Sequence, residues 1–478
     1  MASYLLIFVC VVISFRIAIL LGIAREKRLL RAKGLPTTLV ELNKWTTHTP
    51  DIVARTESLH SVLSEIRELV TNRAVDEAAN LVYRRALQYM VEEGLDWTHV
   101  DSVAEDIARE SSTSLSRKGD PLELEIPLEQ IPVATNVEES LRSLVKQCES
   151  QIAQLDAALA SGPCKFTVDF RPWPNVDLLD HIGKLKIAAE LLQRTAILHA
   201  DAGKKHEALQ ALLWCFLLAR VLADEPTTIS QLGLARIFGL AIDGVEQVLT
   251  RCELTRDDLD EIEEAAAKSF RADGHIRACA GEICLVTSGG GLENDRPEWV
   301  VARIWNYVPS WWSWRLVYEL PLKAMGVEEL RALFYVALSR RYMSALAHPD
   351  DTIATAINRY YASSLMKIDQ LIDSSPPGSL IGVMPNIVPI SMRTRYNALR
   401  AGLAVERYRL DNGRMPDSLA ELVPQYLERI PLSVHDGMPL RFEKPQTGYE
   451  ILPALPSEGE AEPSMSRSAE LSEFRVFR

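Results

Sequence analysis

Residues 4–24 read YLLIFVCVVISFRIAILLGIA, and every side chain except those of Ser14, Arg16 and Gly22 is hydrophobic. A helix of this length covers about 30 Å, the thickness of the bilayer hydrocarbon. Such a segment must enter lipid, be cleaved as a signal peptide, or be buried in a core. Gly22-Ile23-Ala24 before Arg25 has the small-x-small form of a cleavage site, but Met-Ala-Ser supplies no basic start. Arg16 costs about 2.5–3.5 kcal/mol at a span centre, which so apolar a run offsets. A core helix is disfavoured by length and position. The expectation is a single-pass anchor through residues 4–24. Arg25, Lys27, Arg28, Arg31 and Lys33 against the single Glu26 place the following body on the cytoplasmic side by the positive-inside rule. The side of the membrane rests on that flank alone.

The rest of the chain carries a formal net charge of the opposite sense. The total is −13, which argues against a nucleic-acid footprint built from clustered Lys and Arg. Cysteines stand at 10, 148, 164, 215, 252, 279 and 284, odd in number, without a CxxC pair and mostly inside apolar runs. They read as small buried hydrophobes, not as a disulfide framework.

Hydrophobic periodicity makes the chain mainly α: an amino-terminal transmembrane helix, a helical-hairpin body and a small α+β module at the carboxyl end. Five regions follow: an anchor with basic flank at 1–33, a helical region with linker at 34–132, a helical-hairpin core at 133–385, the α+β module at 386–456 and a disordered tail at 457–478. Within them, Leu59, Leu63, Ile66 and Val70 share one face of a helix opening near Asp51. Helical patterning is expected over 137–160, then an extended crossing segment, SGPCKFTVDFRPWPN. The strongest helical stretch, 176–249, breaks at Asp201-Ala202-Gly203 and at Asp224-Glu225-Pro226, and Thr255 with Asp258 caps the next helix. Further helices are expected over 327–372 and 392–410, and a β-hairpin over 440–452. Gly203-Lys-Lys-His-Glu-Ala-Leu209 resembles a tetratricopeptide turn, but no second copy follows.

Little chemistry is legible. G-x-S-x-G, H-E-x-x-H and G-x-G-x-x-G are absent, and Ser288-Gly-Gly-Gly291 lacks the Lys of a phosphate loop. Nothing calls for a cofactor or a metal. Glu282 is a lone acid in ACAGEICLV. It is read as the partner of an Arg on a neighbouring helix, with a general acid of raised pKa as the sharper alternative. Five of nine tryptophans fall at 299, 305, 311, 312 and 314. Trp305, Trp311, Trp312 and Trp314 are the candidate docking patch, for a bilayer or a protein partner, against core packing as the plainer reading.

Residues 400–450 contain YRLDNGRMPDSLAELVPQY and HDGMPLRFE. This stretch resembles the tail of type II secretion pseudopilins, where a helix ending in Y-x-x-D-x-G precedes a Pro-x-Ser-Leu helix and a D-G-x-P-L hairpin. Gly413 then ends the helix in the left-handed region, Pro416 starts the next one, and Asp436-Gly437 makes the hairpin turn. Ser433-Val434 stands where that pattern has Asp-Pro, and no prepilin-like start is present. GLPTTLVELN at 34–43, CKFTVD at 164–169 and LADEPTTISQ at 222–231 resemble three blocks of a group of uncharacterised single-anchor bacterial proteins. The resemblance implies an architecture and no activity. The expected function is a membrane-tethered scaffold or protein-interaction protein of the bacterial cell envelope, more a binder than an enzyme. The alternative is an envelope enzyme whose site forms between helices.

Overall fold

The computed structural model describes residues 2–71, 137–171, 179–269, 271, 273–287, 336, 340, 376–433, 438–445, 448–452 and 474–477. The chain is mainly helical, with eleven α-helices among the described residues and one three-stranded sheet near the carboxyl end. The helices are α1 (Ala2–Arg31), α2 (Leu39–Trp45), α3 (Pro50–Thr71), α4 (Val137–Gln147) and α5 (Glu149–Ala160). They continue as α6 (Leu179–Asp201), α7 (Lys205–Leu222), α8 (Thr228–Arg251), α9 (Arg256–Ser269), α10 (Gly274–Thr287) and α11 (Pro376–Asn412).

Glycine-ended helices set the path of the chain. Gly34 (φ +73°) ends α1, with Leu35 N–H donating to Leu30 C=O at 3.1 Å and Gly34 N–H to Arg31 C=O at 2.9 Å. Gly203 (φ +71°) ends α6 in the same way, through Lys204 N–H to His199 C=O at 2.8 Å. This double bond pattern, with glycine in the left-handed region, satisfies carbonyls that a helix end leaves bare. Thr255 and Asp258 form the expected reciprocal cap of α9, at 2.8 and 3.3 Å.

The α6–α7–α8 hairpins make the centre, and Phe216 and Phe238 meet edge to face there at 5.6 Å. Leu59, Leu63 and Ile66 of α3 are fully buried against this core, and Val70 packs beside them. The helical stretch expected over 137–160 forms as two helices that break at Cys148, whose φ of −91° and ψ of 4° leave the helical range. The crossing segment 163–170 runs without regular secondary structure. It is held by Thr46 Oγ1 donating to Val168 C=O at 2.8 Å and Lys165 N–H donating to Thr56 Oγ1 at 2.9 Å.

The carboxyl end departs from expectation in three ways. First, α11 begins at Pro376 and runs through the boundary expected at 385/386, and its residues belong to the same apolar core as α6–α9. Arginines fasten it to the body: Arg407 to Asp260 (2.6 Å) and Glu263 (2.7 Å), Arg409 to Glu253 (2.9 Å) and Arg395 to Asp243. Second, Gly413 (φ +66°) ends α11 as expected, but the next turn is 3-10, over Leu419–Leu422, with Ser418 and not Pro416 at its start. Third, the tail is not without structure. The hairpin β1 (Arg441–Glu443) and β2 (Gly448–Leu452) is joined by β3 (Phe474–Phe477), antiparallel to β2 with Tyr449 opposite Val476. Phe474 lies over Gly402 of α11, where any side chain would overlap its ring. Phe477 N–H donates to Thr250 of α8 at 3.2 Å.

The 4–24 run lies inside α1. Among the described residues no helix is long and apolar enough to cross a membrane. Ten of the 21 side chains of that run, Arg16 included, lie outside the described residues, so the anchor gains no structural support of its own. The linker at 111–132, the glycines at 289–291 and the Asp436-Gly437 turn also lie outside them, as does 327–372 apart from residues 336 and 340.

Six cysteines are buried, and only Cys10 is exposed. Burial pushes the Cys279 and Cys284 thiols up to about 12. In the folded protein at pH 8 the six body thiols are expected to resist a thiolate-selective reagent, and all six react once denaturant is added. Rapid labelling of any of them before unfolding would contradict this packing.

Candidate functional site at the joint between helices

The turn from Asp224 to Thr228 links α7 to α8, and more elements converge on it than its five residues suggest. Proline at 226 prevents α7 from continuing. Thr227 then caps α8, its hydroxyl accepting from Ser230 N–H at 3.2 Å, a bond of the kind worth about 1 kcal/mol.

The two acids of the turn face different surroundings. Glu225 is buried. Ser230 Oγ donates to its carboxylate at 2.5 Å, and His181 Nε2 of α6 lies 3.0 and 3.2 Å from its two oxygens. Phe166 of the crossing segment stacks on the His181 ring at 4.5 Å. Serine, histidine and acid are the ingredients of nucleophilic catalysis, but here the order is wrong. The serine bonds the acid and not the histidine, and all three are closed off from solvent. The cluster holds α6 to the start of α8.

Asp224 faces a recess. It accepts from Arg271 Nη1 at 2.7 Å and pairs with Lys165, while its backbone carbonyl accepts from Arg277 at 3.0 Å. Burial alone would raise the Asp224 carboxyl, but the Lys165 hydrogen bond and the charges of Lys165, Arg271 and Arg277 hold it below the ordinary carboxylate range. Arg277 also lies 4.5 Å from the ring centre of Trp45. Asn43, two residues before that tryptophan, bonds Asp169 at 2.6 Å and the Phe170 N–H at 2.9 Å. The stretches 34–43, 164–169 and 222–231, far apart in sequence, are thereby tied into one network.

Glu282 belongs to this joint. Its carboxylate accepts from the N–H of Thr228 at 2.9 Å, the first residue of α8. No arginine partner is found among the described residues, so the expected Arg pair is corrected to a cap donated by another helix. Burial raises the Glu282 carboxyl, opposed by the Thr228 bond. The close approach of α10 needs Gly281, where a methyl would overlap the Pro226 carbonyl. The positive end of a helix favours a carboxylate there, which a sequence cannot reveal because α8 and α10 are joined by about a full helix of intervening chain.

The recess beside Asp224 encloses about 410 Å³. Leu159 of α5, Leu217 and Val221 of α7 and the 162–165 segment form its walls, and Glu282 is not among them. Lys165, Arg220, Lys268 and Arg271 bring four cationic side chains to it against the one carboxylate of Asp224. Sequence reasoning missed it, because these cations come from four different segments. Trp305, Trp311, Trp312 and Trp314, the expected docking patch, lie outside the described residues. No group of three or more His, Cys, Asp or Glu able to hold a metal ion occurs among the described residues. No protein-family model, no curated protein and no solved structure matches this chain.

Two outcomes are expected of substitutions here. Glu282→Gln keeps an acceptor for Thr228 N–H and costs under about 1 kcal/mol, whereas Glu282→Leu orphans a buried donor and costs about 1–3 kcal/mol in denaturant unfolding. Asp224→Asn destabilises by about 1–3 kcal/mol at pH 7, since it leaves Lys165 and Arg271 short of a counter-charge. The Asp224 carboxyl is depressed in the folded state, so its contribution is present above about pH 4 and lost as pH falls through the folded value. The gap between wild type and Asp224→Asn therefore closes in acid, as melting across pH 2–7 would show.

Proposed function

We propose that this chain is a membrane-tethered interaction protein of the bacterial cell envelope, held by α1 and presenting its helical body to a protein partner. The observation that carries the reading is an apolar stripe left uncovered on α1. Ile13, Ile17, Leu20 and Leu21 are 52%, 52%, 51% and 62% exposed. Their spacing of four, three and one puts them along one helix face. Each half-exposed side chain forgoes about 1 kcal/mol of burial in water, and lipid recovers it. The far end of the same helix is fixed to the body. Leu30 packs with Cys279, Ile283 and Val336, Glu26 pairs with Arg340, and Arg31 bonds Glu41 at 3.2 Å. A tether joined in this way transmits its orientation to the body. The basic flank favours the cytoplasmic side for that body, and the order of helix, Gly413 turn and hairpin at the carboxyl end suits the likeness to a pseudopilin tail. The Trp305, Trp311, Trp312 and Trp314 cluster supplies aromatic anchors of the sort that dominate protein interfaces.

The test is alkaline carbonate extraction of membranes from cells expressing the full chain. Wild type is expected in the pellet, and Ile17→Asp with Leu20→Asp moves most of it to the supernatant. Cys10 should be shielded from a water-borne thiol reagent in the pellet form. Wild type recovered in the supernatant sinks the tether. Replacing Trp311, Trp312 and Trp314 by Ala should abolish crosslinking to the partner and leave extraction unchanged.

A further inference from the structure

The recess beside the joint has the build of a ligand site. Its cations are not evenly engaged. Lys165 and Arg271 share Asp224, and Arg271 also bonds Asp273 at 2.8 Å. Lys268 is half-exposed and pairs along its own helix with Glu264, an exposed residue. Arg220 is exposed and has no side-chain hydrogen bond or ion pair among the described residues. An exposed pair of this kind is worth little and exchanges readily with a better anion. In a chain of net charge −13, this corner is locally positive.

The walls narrow the choice of anion. The volume of about 410 Å³ lies in the range of small-molecule pockets. Leu159, Leu217 and Val221 give it an apolar side. Cys164, also in the wall, has its thiol raised by burial and so adds no negative charge at neutral pH. We propose that this recess binds a small amphipathic anion, its phosphate or carboxylate held by Arg220, Lys268 and Arg271 and its apolar part against Leu217 and Val221. Arg220 presents a planar fork suited to two parallel bonds with such a group. Asp224 sets the limit on the other side: it repels a second charge close to Lys165, so the anionic group sits toward Arg220 and Lys268.

The inference does not depend on the tether, and its test separates the two. Full-length protein in a non-ionic detergent is titrated calorimetrically with phenyl phosphate, benzoate, inorganic phosphate and benzyl alcohol. Phenyl phosphate or benzoate is expected to bind, with inorganic phosphate about tenfold weaker and benzyl alcohol not detectable. Rising salt should weaken the binding, because the cations are solvent-accessible. Arg220→Gln with Lys268→Gln should cost tenfold or more, the scale of losing a charge-assisted bond. Arg220→Lys recovers part of the loss. Both positions are exposed, so melting of the variant is expected to stay within a few degrees of wild type, and the salt dependence tests the idea on wild type alone. Binding of neither aromatic anion overturns the proposal. So does equal binding of benzyl alcohol or of inorganic phosphate, or a folded double variant that binds as wild type does.

Discussion

A carboxylate pair on one tight turn holds this fold together. Asp224 and Glu225 are neighbours in sequence, but their carboxylates meet different partners. One gathers the crossing segment and the loop before α10, and the other gathers α6 and α8. The helices around them are amphipathic or apolar and could pack at many angles. What fixes the angle is that the bonds of His181 and Ser230 to Glu225 and of Lys165 and Arg271 to Asp224 can all form together only in one arrangement. A buried polar group without its partner costs about 1–3 kcal/mol, so any slip of α6, α8 or the crossing segment is penalised several times over. The same turn gives α10 its seat, through Thr228 N–H to Glu282 and the methyl-free approach at Gly281. Hydrophobic burial makes the body compact, and this polar knot makes it one arrangement.

The parts that could be read from residues are those whose cause is local. Gly203 and the Thr255–Asp258 pair mark helix ends because cap chemistry acts within a few residues. The face of Leu59, Leu63 and Ile66 follows from helical periodicity. The break at Cys148 was not legible: no Gly or Pro stands there, and the chain leaves the helix because α4 and α5 pack on different neighbours. The third strand was hidden for a related reason. FRVF ends a stretch of Ser and Glu, and it becomes a strand only because β2 offers an edge and Gly402 a seat for Phe474. Strand preference of this kind is a property of the surroundings more than of the segment.

Long-range charge was the least legible of all. α11 looked separable because its sequence resembles a tail module, yet Arg395, Arg400, Arg407 and Arg409 reach acids on α8, on α9 and in the turn between them. Those acids, Asp243, Glu253, Asp260 and Glu263, read in sequence as ordinary solvated positions. Glu246 beside them is fully enclosed, and burial raises its carboxyl well above the ordinary range, with the Asp243 charge acting in the same direction. The two acids of this one helix have different partners: Asp243 pairs with Arg395, and Glu246 accepts the Arg475 backbone N–H that seats β3.

The same reasoning bears on the recess. Its cations serve two ends, and Asp224 shows why both can be met. Lys165 and Arg271 are committed to the joint, so a ligand that drew them away would loosen the fold that forms the pocket. Arg220 and Lys268 carry no such duty, since one lacks a side-chain partner among the described residues and the other has only an exposed neighbour on its own helix. An anion held mainly by these two adds attraction without removing any that the joint needs. Its binding therefore stabilises the body by mass action. Because the recess is bounded by the crossing segment as well as by α5, α7 and α9, that stabilisation reaches one of the elements that the polar knot fixes.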